Sequence, residues 1–154
     1  MEREVIFIYG REVIKMADAI VRGEIDGVND AEFRTSLTCS RGVPSGSIRG
    51  EIEIRSAGRD TDYTFRSTSP TSIVARRAGV TRYVRVVFRR VRLINQRTGF
   101  TINNAQIVLL ARTLANGRRR ATLTIFRPGR TTFRSSGVLE DGRVFVARNV
   151  SCQR

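Results

Sequence analysis

Hydrophobic and polar residues alternate with a period of two over much of this chain. In Ser47–Arg55, Ile48, Ile52 and Ile54 fall on one face and Arg49, Glu51, Glu53 and Arg55 on the other. That is the pattern of a strand with one dry and one wet side. Turn-forming residues then recur at short intervals: Arg97-Thr98-Gly99, Asn116-Gly117, Pro128-Gly129 and Asp141-Gly142. Asn-Gly and Asp-Gly supply the positive φ angles of tight hairpins, so the second half reads as a β-meander. The spacing predicts strands near residues 81–95, 100–115, 119–127, 131–139 and 143–151, preceded by strands near 4–9, 33–39, 47–56 and 62–68.

One strand breaks its own alternation. Val84, Val86 and Phe88 share a face, but strict alternation would place Arg90 and Arg92 there too. Burying two unpaired guanidinium groups would cost several kcal/mol. A bulge at Arg89-Arg90 avoids this by returning Val91 and Leu93 to the inner face and leaving Arg85, Arg89, Arg90 and Arg92 outside.

Two segments carry a competing helical signal. Val13, Met16, Ala17 and Ile20 form an i, i+3, i+4, i+7 stripe, which predicts a short amphipathic helix from Arg11 to Arg22. Asn104 to Ala115 is rich in good helix formers and is followed by Gly117 at a C-cap position. Strand is favoured there, because Asn116-Gly117 followed by the alternation of 120–125 completes a hairpin. The expected fold is all-β: an antiparallel, meander-rich sandwich or barrel with at most one or two short helices. A length of 154 residues suits one domain, and no Pro/Gly/Ser-rich linker divides it.

Charge changes the picture from fold to partners. The chain has 28 basic residues, of which only Lys15 is lysine, and 14 acidic ones. Residues 63–139 contain sixteen arginines and no Asp, Glu or Lys. Residues 1–62 therefore carry a net charge of −3 and residues 63–154 one of +17. GC-rich coding favours arginine over lysine, but it does not explain why carboxylates avoid residues 63–139.

Catalytic chemistry finds little to work with. Histidine, the commonest general base near neutral pH and the commonest metal ligand, is absent. Two cysteines are too few for a zinc site. Asp60 and Asp62 share a strand face without a basic or aromatic neighbour to tune them. Asp26-Gly27-Val28-Asn29-Asp30 lacks the spacing of a calcium loop, and Arg41-Gly42-Val43-Pro44-Ser45-Gly46 lacks the lysine of a P-loop. No enzyme activity, metal or cofactor is expected. Cys39 and Cys152 read either as two buried small hydrophobes or as a disulfide joining the last strand to an early one.

Two sets of residues remain as candidate contacts. Arg118, Arg119 and Arg120 follow the Asn116-Gly117 turn and, with Arg85, Arg89, Arg90 and Arg92, offer planar forks suited to phosphate or carboxylate. The complementary acidic set is Glu24, Asp26, Asp30, Glu32, Glu51, Glu53, Asp60 and Asp62. A chain polarised in this way is expected to bind copies of itself, closing into a ring, tube or shell. The expected function is thus a structural subunit held by β edges and acidic-to-basic contacts, such as a phage tail-tube, connector or coat-type protein of a virion. The alternatives are a basic RNA- or DNA-binding module and a subunit of a cell-surface filament. No apolar run reaches membrane-spanning length. Met1-Glu2-Arg3-Glu4 lacks the basic start of a secretory signal, so assembly in the cytoplasm is expected.

Overall fold

The structure, a computed structural model, describes residues 3–8, 11–56 and 58–154. Met1, Glu2 and Tyr9, which entered the reading of the N-terminus, lie outside the described residues. The described residues form twelve strands and no helix: β1 (Arg3–Ile8), β2 (Arg11–Met16), β3 (Ala19–Ile25), β4 (Asp30–Ser40), β5 (Val43–Ser56), β6 (Arg59–Ser67), β7 (Ser69–Ala78), β8 (Thr81–Asn95), β9 (Thr101–Thr113), β10 (Arg119–Phe126), β11 (Phe133–Val146) and β12 (Val150–Gln153).

Eight of these strands close into an antiparallel barrel in the order β8-β6-β5-β4-β3-β11-β10-β9, with β9 returning to β8. The all-β expectation therefore resolves as a barrel. Closure removes the unpaired edges that an open sheet would present. β8 pairs with β6 only through Arg92–Asn95, while its first part, Thr81–Arg89, pairs with β7. β7 in turn carries β12, and β1 and β2 form a separate two-stranded sheet.

Inward-facing residues of every barrel strand meet in one core, in which Phe88, Leu37, Ile52, Leu109 and Leu123 are fully buried. One inner row runs Gly23, Phe33, Gly50, Phe65, Leu93 across five adjacent strands. Glycine is required at its centre. A Cβ on Gly50 would lie 2.1 Å from the Glu32 carbonyl oxygen and 2.8 Å from the Phe65 ring. Without side chains at 23 and 50, the backbone of β11 approaches β3 and the backbone of β4 and the Phe65 ring approach β5 where a Cβ would stand.

The bulge in β8 lies where the alternation requires it. The β8–β9 register shifts between Phe88 and Val91, and Arg90 has a φ of 52°. Val84, Val86, Phe88, Val91 and Leu93 are buried, and Arg85, Arg89, Arg90 and Arg92 are exposed.

Three expectations are corrected. Arg11–Met16 and Ala19–Ile25 are strands, not one helix, with the chain breaking at Ala17-Asp18. The helical stripe spanned that break, and β3 buries a face against the barrel core. Asp141-Gly142 is not a hairpin turn: β11 runs through it as a bulge, with Asp141 at a φ of 47° and a register shift between Glu140 and Arg143. The same backbone freedom that makes a tight turn also makes a bulge. Finally, β7 has no counterpart in the predicted set.

Cys39 and Cys152 form a disulfide across 113 residues. It ties β12 to β4 and closes the side of the barrel where β7 leaves β6.

Candidate interaction surface

The pairing register places like charges in rows across the outer surface. Arg143, Arg22, Arg34, Arg49, Arg66 and Arg92 stand directly opposite one another on β11, β3, β4, β5, β6 and β8. Two residues along on β3, β4 and β5, and three along on β11 because of its bulge, Glu24, Glu32, Glu51 and Glu140 form a second row, which Thr64 and Ile94 continue. A third row sets Asp30 opposite Glu53 and Glu53 opposite Asp62. Neighbouring strands are about 4.8 Å apart, and positions i and i+2 are about 6.8 Å apart. The arginine and glutamate rows thus have the same pitch and lie side by side.

Directly opposed like charges destabilise a sheet, so each row gains from a row of opposite sign laid against it. Among the described residues, Arg34, Arg49, Arg66 and Arg92 take part in no ion pair. The rows flank an open groove of about 850 Å³ whose floor includes Gly23, Gly50, Phe33 and Phe65. Beyond the glutamate row lies a smaller acidic depression of about 330 Å³, lined by Asp26, Asp30, Glu53 and Asp62 among others. Arg55 reaches into that acidic region, pairing with Asp30 and, at 3.3 Å, with Glu53. The hydrogen bond to Glu53 and the charge of Asp30 raise the Arg55 pKa. Glu140 has an acidic neighbour instead: its hydrogen bond with Asp26 and the charge there raise its pKa from the ordinary carboxylate value.

The acidic residues singled out from the sequence are therefore brought together, with Asp60 at the edge of the set, two residues from Asp62 and opposite Arg55. Within the same surface lie Arg22, Arg34 and Arg49, arginines of the acidic third that sequence reasoning passed over. Their register depends on turn positions that no single strand pattern reveals.

The basic candidates divide. Arg92 belongs to the arginine row, and Arg89 and Arg90 flank it at the bulge. Arg118, Arg119 and Arg120 lie at the opposite end of β8, with Arg120 opposite Arg112 and Arg112 opposite Tyr83. Arg76 faces Tyr83 from the other side, and Arg77 faces Arg82. Arg85 stands between the two groups, opposite Val74 and Leu110. In the barrel order, β8, β9 and β10 lie across from the acidic strands β3, β4 and β5. Arg76, Arg77, Arg82 and Arg112 were missed because they flank the β7–β8 turn and the end of β9, and β7 itself went unread.

Among the described residues, no group of three or more Asp, Glu, His or Cys side chains is arranged to hold a metal ion, and no helix is long and apolar enough to cross a membrane. No family model, curated protein or solved structure matches this chain.

Proposed function

We propose that this protein is a self-assembling structural subunit whose copies meet through the outer face of β3, β4 and β5. One observation carries the reading: a row of arginines and a row of glutamates, opposite in sign and equal in pitch, lie side by side on one face. A twofold axis running between the rows sets Arg22, Arg34 and Arg49 of one copy against Glu24, Glu32 and Glu51 of the other. The same pairs recur in the reciprocal direction, so the contact is self-complementary. This differs from a head-to-tail contact between an acidic end and a basic body, because both signs occur on the same three strands.

Exposed ion pairs contribute only about 0–1 kcal/mol each. The charges therefore set orientation and encounter rate, while closing the groove against its copy supplies buried area. We assign such a dimer as the building unit of a virion component of the tail-tube, connector or coat type, in which further contacts join one dimer to the next.

Light scattering tests the reading. At about 50 mM salt the native mass should be at least that of a dimer, and at about 500 mM, where the screening length has fallen several-fold, it should shift toward the monomer. A monomer at both ionic strengths would overturn it.

A further inference from the structure

Arginines from four strands and one turn converge at one end of the barrel. The β7–β8 turn at Gly79-Val80 and the β9–β10 turn at Asn116-Gly117 lie at this end, because β8 and β9 are antiparallel and Arg82 stands opposite Thr113. Arg76, Tyr83, Arg112 and Arg120 form one cross-strand row on the outer face of β7, β8, β9 and β10. Arg118 is exposed on the adjoining turn, where its N–H donates to Asn116 Oδ1 at 3.0 Å. Arg77 and Arg82 oppose each other at the mouth of the barrel.

Two of these side chains are braced by backbone: Arg82 donates to the carbonyls of Gly79 at 2.6 Å and Thr81 at 2.8 Å, and Arg119 donates to that of Gly142. The other five, Arg76, Arg77, Arg112, Arg118 and Arg120, are exposed and form no ion pair among the described residues. The sequence holds no carboxylate between Tyr63 and Leu139 that could serve them.

We infer that this end of the barrel binds the phosphate backbone of nucleic acid without reading its sequence. Guanidinium forks bond phosphate bidentately. Tyr83, half-buried between Arg76 and Arg112, offers a ring against which a sugar or base can pack. The row lacks the apolar centre of a protein–protein interface. No helix among the described residues is present to enter a groove, so the contacts position a backbone and leave bases unread. The inference does not depend on self-assembly, since Arg76, Arg77, Arg112, Arg118 and Arg120 lie on β7, β9, β10 and the β9–β10 turn and not on β3, β4 or β5.

Fluorescence anisotropy with a labelled mixed-sequence DNA duplex and the corresponding single strand tests it. Five phosphate contacts predict that log affinity falls with log salt at a slope of about −4.5 on the duplex, a loss of about 500-fold between 50 and 200 mM. The Arg112→Ala/Arg118→Ala/Arg120→Ala variant should show a slope of about −2 and lose only about tenfold over that range. Arg97→Ala/Arg130→Ala, at the other end of the barrel, should behave as the wild type. If the triple variant does not fold, Arg118→Ala alone, on an exposed turn, should reduce the slope by about 1. An unchanged slope in the variants, no binding at low salt, or tighter binding to a heparin octasaccharide than to either nucleic acid would overturn the inference.

Discussion

Asp18 and Arg148, 130 residues apart in the chain, share an ion pair in which Arg148 Nε lies 2.6 Å from Asp18 Oδ1. The Asp18 carboxylate is buried and also accepts from the Cys39 N–H at 2.8 Å, while Arg148 donates to the Cys39 carbonyl at 3.0 Å. One carboxylate thus joins the start of β3, the end of β4 and the link between β11 and β12. Asp18→Ala should cost about 1–3 kcal/mol, because it leaves a buried N–H without its acceptor. Urea unfolding of the variant beside the wild type measures this.

The neighbouring Cys39–Cys152 disulfide spans 113 residues. Constraining so long a loop in the unfolded chain stabilises the fold by about 2–5 kcal/mol. Cys39→Ser/Cys152→Ser should therefore melt well below the wild type, and reductant should lower the melting temperature of the wild type only.

The β8 bulge makes a sharper prediction about packing. Phe88 is fully buried and Arg92 is exposed on the same strand. Phe88→Ala should cost about 3–5 kcal/mol, and Arg92→Ala should change stability by no more than about 0.5 kcal/mol. Paired denaturation curves decide between these costs and equal ones.

Glu140 and Asp26 give a pH dependence whose sign follows from their contact. Asp26 raises the folded-state pKa of Glu140, so the folded state holds a proton there more tightly than the unfolded chain does. The resulting stabilisation is present in acid and is lost as pH rises through the Glu140 pKa, leaving repulsion at neutral pH. Glu140→Gln should raise the melting temperature at about pH 7 and have no such effect at about pH 3.

Much of the fold was legible because alternating stretches such as 47–55 and 120–125 are bounded by turns with distinctive residues. The bulge was legible for a different reason: leaving Arg90 and Arg92 inside would have been costly. β7 was not, because Pro70 opens it and its outward Val74 is as apolar as its inward Ile73 and Ala75. The Asp141-Gly142 bulge was read as a turn, since local chemistry does not distinguish the two. The candidate surface was half legible. Each strand shows which of its residues face out, but the opposition of Arg34 to Arg49 and of Glu32 to Glu51 depends on the register set by the Arg41-Gly42 turn.

Mixing two charge-reversed variants shows whether copies meet through matched arginine and glutamate rows. Arg34→Glu/Arg49→Glu makes both rows acidic on β4 and β5, and Glu32→Arg/Glu51→Arg makes both basic. Each variant alone should be a folded monomer by light scattering at low salt, and an equimolar mixture should recover the mass of a dimer. A mixture that stays monomeric, or variants that each assemble as the wild type does, would rule out contact through these rows.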